Sequence, residues 1–375
     1  MMLSPLPRLC RTLTALLLCC SLILCLSLPS AALSSPTVSA QSAILIDFSD
    51  KTVIYEKNTR QRMGMASTTK IMTALVVCEL MPLDKKVAIP PEAVNVEGSS
   101  VYLCEGELLT VEELLCALLL SSANDAAAAL AIAAAGSVTA FAHKMNEKAF
   151  ALGLSDTHFT NPHGLYDEEH YTTAYDLAII SAEALSHPTV RRIASTKKTT
   201  IPQGVTAEQS EGTSTRYLYN HNKMLSLYDG AIGLKTGFTK ATGRCLVSAA
   251  ERDGLTLISV TLNAPDDWND HSGMLDYGFS LYERATLYEA GEFTCSYPLT
   301  GGKESYVTLT NAEALILTLP RQRGKTRLSV TAYRHFEFAP IPKGKQLASV
   351  TLYAGDKSTS SPLIAAYGVE STQKK

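Results

Sequence analysis

The apolar positions of this 375-residue chain fall into stretches of different period, and the period changes along its length. Near the start, Arg8 and Arg11 precede an almost unbroken apolar run over 13–28, followed by small residues up to Val38-Ser39-Ala40. That order predicts an export leader cut before Gln41; the run is short for a stable membrane span, and an uncleaved anchor is the alternative. Residues 71–78 are apolar around nearly the whole helical circumference, which predicts a helix buried in a sizeable domain. Thr110-Val111-Glu112-Glu113 spells a capping box ahead of the apolar run 114–120. Ser121 to Asp125 interrupts it, and an alanine-rich stretch over 126–135 resumes helix until Gly136, a residue suited to a helix C-terminus. A second capping-box spelling, Thr173-Ala174-Tyr175-Asp176, opens another helix and makes Asp176 a helix-start residue rather than a catalytic acid.

Later the period shortens to that of strands. Residues 245–250 and 255–262 flank the turn residues Glu251-Arg252-Asp253-Gly254, an antiparallel hairpin pattern. Past a change of character between Glu283 and Glu292 come β-like runs at 306–309, 314–319, 328–333 and 347–353, separated by turn residues. The expected fold class is α/β in the α+β sense. An antiparallel sheet with a helical subdomain would occupy 41–288, a small C-terminal β-sandwich 289–370, and a polar, solvated tail 371–375, after a leader over 1–40. Residues 362–369 make only a short strand-like run before a polar end, so no C-terminal anchor is visible.

Charge and cysteine usage narrow the functional classes. A net charge of -3 offers no basic field for nucleic acid. Four of nine cysteines (Cys10, Cys19, Cys20, Cys25) belong to the leader; Cys78, Cys104, Cys116, Cys245 and Cys295 form an odd, scattered set that reads as small buried residues rather than a disulfide framework. His158, His163 and His170 lack zinc-motif spacing and there is no Gly-x-Ser-x-Gly elbow, so neither a metal, a cofactor nor a Ser-His-Asp triad is expected.

Three short motifs carry the candidate chemistry: Ser67-Thr68-Thr69-Lys70, Ser122-Ala123-Asn124 and Lys235-Thr236-Gly237. They supply a nucleophilic hydroxyl, amines to move its proton, and an amide and a cation to hold an acylated substrate. Ser195-Thr196-Lys197-Lys198 and Ser371-Thr372-Gln373-Lys374 also fit Ser-x-x-Lys, so context must choose. Only Ser67 opens a buried helix, where a spacing of three brings Lys70 beside it and desolvation with the helix dipole lowers the amine's pKa. Ser195 runs into a β-branched stretch ended by Pro202, and Ser371 lies in the tail. Ser122 and Asn124 would protrude from an interhelical turn. Gly237 would let an extended backbone approach its strand, while Lys235 and Thr236 offer a cation and a hydroxyl to a carboxylate such as a peptide C-terminus.

With Ala43-Ile44-Leu45-Ile46-Asp47, Asn161-Pro162-His163-Gly164-Leu165 and Gly233-Leu234 added to these motifs, nearly the whole mature chain resembles the serine-type D-alanyl-D-alanine carboxypeptidases, the low-molecular-mass penicillin-binding proteins. The resemblance implies a β-lactamase/transpeptidase-like domain acting on D-Ala-D-Ala-ending peptidoglycan stem peptides and acylated by β-lactams, outside the cytoplasm. It implies Ser67 as nucleophile, Lys70 as its base, and Ser122 as a proton relay with Lys70 and Lys235. Asn124 would bind the substrate amide, Lys235 and Thr236 the terminal carboxylate, and the N–H groups of Ser67 and Phe238 the oxyanion, with Gly237 beside them. Met65 stands where the family commonly has proline and Ala123 where glycine is frequent; both touch backbone geometry rather than reacting groups. Some members carry arginine where His221 stands, which leaves its part in carboxylate binding open. A β-lactamase and a catalytically silent wall-binding protein are the alternatives, the first needing a dedicated deacylation base that the motifs do not locate.

Overall fold

A computed structural model describes residues 35–206, 214–322 and 324–372; the apolar leader and its four cysteines lie outside them. Five strands form an antiparallel sheet in the order β2-β1-β9-β8-β7: β1 (Ser42–Asp47), β2 (Val53–Lys57), β7 (Ala231–Thr239), β8 (Gly243–Arg252) and β9 (Leu255–Leu262). Three two-residue-period strands are apolar on both faces because both faces are covered. Ile44, Ile46, Val247, Ala249, Ile258 and Val260 point into a helical layer. Their neighbours Ala43, Leu45, Leu246, Ala250 and Leu257 point the other way, under the helix that follows β9. The β8–β9 connection is the two residues Asp253 (φ 49°) and Gly254 (φ 75°), both left-handed as a tight hairpin of this twist requires.

The helical layer contains α1 (Lys70–Leu80), α2 (Val111–Leu120), α3 (Asn124–Ala135), α4 (Val138–Ala151), α5 (Ala174–Ser186) and α6 (Pro188–Ala194), with a single turn α7 (Met224–Leu227) before β7. As its all-round apolar pattern predicts, α1 is buried at every residue from Lys70 through Val77. The Thr110 capping box forms in both directions, Glu113 N–H to Thr110 Oγ1 and Thr110 N–H to Glu113 Oε2. At α5 Thr173 caps the Asp176 N–H, while the Asp176 carboxylate turns to Thr157 Oγ1 at 2.9 Å. Two short antiparallel strand pairs, β3 (Lys86–Ala88) with β4 (Leu108–Thr110) and β5 (Lys198–Gln203) with β6 (Ser214–Tyr219), flank the layer.

On the opposite face lies α8 (Asp267–Leu281). Its Asp270 carboxylate accepts from Ser39 N–H and Ser39 Oγ, both at 2.7 Å, and from the Ala40 N–H at 3.0 Å. Val38 and Ala40 are buried beside it, so residues 38–40 are built into the core. From α8 the chain passes directly into β10 (Tyr282–Tyr288), which pairs with β13 (Leu315–Pro320). A six-stranded sheet of order β14-β16-β17-β12-β11-β15 faces that pair: β11 (Thr294–Thr300), β12 (Tyr306–Asn311), β14 (Thr326–Ala332), β15 (Glu337–Phe338), β16 (Gln346–Ala354) and β17 (Lys357–Ala365). Leu315, Leu317 and Leu319 pack there with Val307, Leu309, Val350, Leu352 and Leu363 as a separate apolar core, the expected C-terminal β-sandwich.

The structure departs from the sequence expectations in four places. Of the strand-like run at 362–369, only 362–365 is strand, the end of the longer β17 whose first half is too polar to announce itself, while Val369 makes an isolated bridge to Ile341. Cys104 is exposed, unlike Cys245, and Cys78, Cys116 and Cys295 are half-buried. The tail is not simply solvated, because Ser371 and Thr372 both bond to Gly301 O. Ser67 stands one turn before α1, in a 3₁₀ turn over Ala66–Thr69, rather than within the α-helix.

Candidate active site

The nucleophile turn is braced by its own hydroxyls. Thr68 Oγ1 donates to Met65 O at 2.6 Å and Thr69 Oγ1 to Ala66 O at 2.8 Å, which holds the Ser67 segment in a tight coil despite Ala66 standing at φ 47°. Behind it, His170 accepts the Thr160 N–H at Nδ1, so its proton sits on Nε2 and is donated to Thr69 Oγ1 at 2.8 Å. Burial pushes His170 down to about 4 and keeps it neutral. This histidine is a positioning group, in line with the structural role expected of it.

Lys70 begins α1 and is fully buried. Its Nζ lies 2.6 Å from Asn124 Oδ1, 2.6 Å from His163 O and 2.9 Å from Ser67 Oγ. Desolvation, helped by the charge of Lys235, moves its pKa well below the ordinary lysine value, with Asp125 acting weakly in the other direction. A neutral amine has two N–H bonds and one lone pair. The two carbonyl oxygens take the N–H bonds, which aims the lone pair at the serine, so the Ser67 hydroxyl donates to the amine. That is the arrangement a general base requires.

The loop that supplies His163 O is the tract Asn161-Pro162-His163-Gly164-Leu165, legible in the sequence only as a turn. Pro162 O accepts from Thr73 Oγ1 of α1 at 2.6 Å, and Asn161 Oδ1 accepts the Gly164 N–H at 2.7 Å. Gly164, at φ 89°, lies so close that a Cβ there would stand 1.9 Å from Ala66 O. Only glycine allows the loop to reach the amine and the nucleophile turn at once.

Ser122 and Asn124, at the junction of α2 and α3, do not protrude; both are buried, Ser122 in the cleft wall and Asn124 beneath it, with Ser122 in the left-handed region at φ 59°. Asn124 is turned inward, Oδ1 to Lys70 and Nδ2 to Glu97 O at 2.5 Å. The adjacent Asp125 carboxylate gathers Ser100 Oγ at 2.6 Å and the N–H groups of Val101 and Leu103 at 3.1 Å, which fixes the loop over this edge.

On the other side stands edge strand β7. Lys235 is buried, Nζ donating to Thr236 O at 2.9 Å, and burial lowers it to about 7. Gly237 meets the nucleophile turn: a Cβ there would lie 3.0 Å from Ser67 N and 3.1 Å from Met65 O. The absent side chain thus lets the turn and strand close on each other, leaving the Ser67 N–H beside the backbone of 237–238. The Phe238 side chain is 65% exposed at the mouth.

Ser67, Ser122, Thr236, Gly237 and Phe238 line one cleft of about 320 Å³ together with Ser99, His221, Arg244, Asp267 and Trp268; Lys70, Asn124 and Lys235 lie beneath it. Hollows of about 470 and 400 Å³ near the β10 strand contain none of the three motifs, so chemistry rather than volume identifies the site. His221 is exposed, and desolvation by the cleft wall together with the charge of Lys235 shifts it downward. The cation in the wall is Arg244, placed across from Phe238 by the β7–β8 register and 2.7 Å from Asp267. Sequence reasoning missed it, because no motif marks a lone arginine on the neighbouring strand. The decoys lie elsewhere: Ser195 Oγ bonds back to Arg192 O at the end of α6, and Ser371 is held against Gly301.

The geometry can be set beside known proteins. The family described as D-alanyl-D-alanine carboxypeptidase, peptidase S11, matches residues 30–266. The D-alanyl-D-alanine carboxypeptidase DacF of Bacillus subtilis is 34% identical over 337 residues, 87% of this chain and 85% of that protein. DacC of Escherichia coli is 31% identical over 355 residues, 90% and 86% of the two chains. Among solved structures, the peptidoglycan synthesis regulatory factor PBP3 from Streptococcus pneumoniae superposes with a TM-score of 0.76 at 27% identity, over 89% of this chain and 100% of that one. Penicillin binding protein 5 from Haemophilus influenzae gives 0.69 at 26%, over 90% and 100%.

Proposed function

Starting from the premise that this chain belongs to the D-alanyl-D-alanine carboxypeptidase family, we propose how its own residues carry out the reaction. The activity is removal of the terminal D-alanine through a serine acyl-enzyme, and penicillin is bound at the same serine. Ser67 Oγ attacks the carbonyl of the penultimate D-alanine while its proton passes to Lys70 Nζ. The oxyanion is held by the N–H groups of Ser67 and Phe238. Ser122, in the cleft wall, carries the proton on to the nitrogen of the departing D-alanine, and the C–N bond breaks. Water, deprotonated by Lys70, then attacks the ester, and Ser67 regains its proton as the shortened peptide leaves.

The terminal carboxylate is held by the Thr236 hydroxyl and by charged Lys235 from below. Arg244, ion-paired with Asp267, stands across from Phe238 in the cleft wall. Asn124 keeps one amide proton for the substrate after serving Glu97 O. The observation that carries the reading is the 2.9 Å approach of Ser67 Oγ to an amine whose two N–H bonds are already taken.

We place the boundary between the catalytic and β-rich domains at the start of β10 rather than after residue 288, because β10 pairs with β13 of the C-terminal sandwich, so the catalytic domain ends with α8 at Leu281. The apolar leader directs export to the outer face of the membrane or the wall. The packing of residues 38–40 against Asp270 supports a mature N-terminus upstream of Val38 rather than at Gln41. The test is incubation with a peptide ending in Lys-D-Ala-D-Ala and, separately, with penicillin. Release of D-alanine and a mass increase confined to a Ser67 peptide are expected, and Ser67→Ala abolishes both with a native unfolding transition. Undiminished penicillin labelling of Ser67→Ala overturns the assignment.

A further inference from the structure

The cleft follows edge strand β7, and its two ends carry different chemistry. At one end stand Lys235, Thr236 and His221, the last close enough to feel the lysine's charge. At the other stand Phe238, its cross-strand partner Arg244, and the first two residues of α8, Asp267 and Trp268. The N–H groups of Ser67 and Phe238 fix the attacked carbonyl between these ends. With the terminal carboxylate at Lys235 and Thr236, the acyl part of the substrate continues the other way along β7, past Phe238. It therefore meets Arg244.

The guanidinium there is held in one position. Its Nη2 donates to Asp267 Oδ1 at 2.7 Å, and it lies 5.6 Å from the centroid of the Trp268 ring, within cation–π range. The neighbouring carboxylate of Asp266 does not join in, because both its oxygens accept from Asn269 Nδ2 at 3.0 Å. The pair is lopsided. The Asp267 side chain is 4% exposed and that of Arg244 is 42% exposed, so the carboxylate lies beneath and the cation faces the cleft. Among the described residues the bond to Asp267 is the only hydrogen bond of the guanidinium, and Nε, though buried, has no partner. Half in solvent, such a pair adds little to stability. What it does provide is a fixed cation with N–H groups to spare.

Resting on the carboxypeptidase reading, we infer that Arg244 is a specificity-determining residue for the third stem residue. It selects a diamino acid whose far amino group is accompanied by a carboxylate over lysine, which ends in a bare ammonium. The third residue precedes the attacked D-alanine and sits about 3.3 Å further along the strand, beside the Phe238–Arg244 pair. It also carries the long side chain of the acyl part. A bare ammonium reaching this wall meets a like charge first, because the anion that would attract it is covered. A carboxylate instead finds a planar fork of donors already oriented by Asp267 and Trp268. Orientation in advance matters, since little side-chain freedom is then lost on binding.

The test compares D-alanine release from three Nα-acetylated tripeptides ending in D-Ala-D-Ala. Their first residue is L-lysine, meso-diaminopimelate, or meso-diaminopimelate with its side-chain carboxylate amidated. None contains glutamate, so no other side-chain carboxylate competes for the arginine. The carboxylate-bearing peptide should exceed both others about tenfold in kcat/KM, as one charge-assisted contact would give. Arg244→Gln, which can still donate to Asp267, should bring the three values together. A distortion of the cleft would lower all three in proportion, so unchanged ratios in Arg244→Gln overturn the assignment. Equal values for the lysine and diaminopimelate peptides in the unaltered enzyme, or a gain kept by the amidated peptide, overturn it as well and leave the carboxypeptidase reading intact. No release from any of the three overturns that reading instead. Calorimetry on Ser67→Ala then tests the selection separately, with about tenfold tighter binding of the carboxylate-bearing peptide than of the amidated one expected and equal binding refuting it.

Discussion

The region around the cleft and the C-terminal sheets solve the problem of turning a chain in opposite ways. Beyond residue 288, every described residue with positive φ is a glycine, and the buried polar side chains are Asn311, Thr318 and Ser361, none of them ionisable. Around the cleft, Ala66, Tyr102 and Ser122 hold left-handed conformations without being glycine, and Lys70, Asp125, Glu107 and Lys235 are buried with their charges or protons to accommodate. The β region relaxes into its fold; the catalytic region is held in place by hydrogen bonds that over-determine it. Strain and buried ionisable groups thus mark the working half of the molecule, and their absence marks the supporting half.

Matched glycine substitutions probe that contrast. Gly164→Ala drives a Cβ to within 1.9 Å of Ala66 O and must push the nucleophile turn or His163 O aside. A displacement of that kind lowers acylation at least about a hundredfold, measured as the rate of fluorescent penicillin labelling. If labelling is unchanged, the turn is not held as tightly as described. The next largest effect is on pH. Lys70 must be neutral to act and its pKa is lowered, so activity falls as acid protonates it. Lys235 must be charged, and with a value of about 7 it loses its proton as pH rises past neutrality. The profile of kcat/KM is therefore a bell whose alkaline limb begins near 7 and steepens to about tenfold per unit. Lys235→Arg, which keeps its proton, should erase that limb; persistence of the limb assigns it to another group.

Smaller effects complete the set. Gly344, at φ 83° with open space around it, lies in the turn that leads into β16 of the C-terminal sheet. Gly344→Ala should lower stability by about 1–2 kcal/mol in a urea titration and leave penicillin labelling unaltered. Ala66→Gly releases the strain at φ 47° but adds unfolded-state freedom, so the net stability change stays within about 1 kcal/mol. A large loss of labelling in Gly344→Ala would mean that the two halves are not separable in this way.

What could be read beforehand follows the range of the interactions. Ser67 with Lys70, the Thr110 box and the Asp253-Gly254 turn are local spacings, and all appear in the structure as spacing predicts. The chemistry of His163 is carried by a main-chain oxygen, which residue type cannot reveal. The Arg216–Glu107 pair joins residues more than a hundred positions apart and has no motif. Strands β10 and β11 went unnoticed because their outward positions are polar and their inward ones few. The inward turn of Asn124 was hidden for a related reason, since its partner Lys70 comes from another helix.

The pairing of β1 with β9 bears on how the enzyme comes to exist. Ser42 finds its partner only at Leu262, and β1 lies between β2 and β9 in the sheet that also carries Lys235. A chain delivered N-terminus first can form the β1–β2 hairpin early, but the sheet waits for its last central strand, a closure of high contact order. A product stopped at residue 240 would hold all three motifs and remain inert. Synthesis thereby acts as a safety catch, arming the serine only once the polypeptide is nearly through.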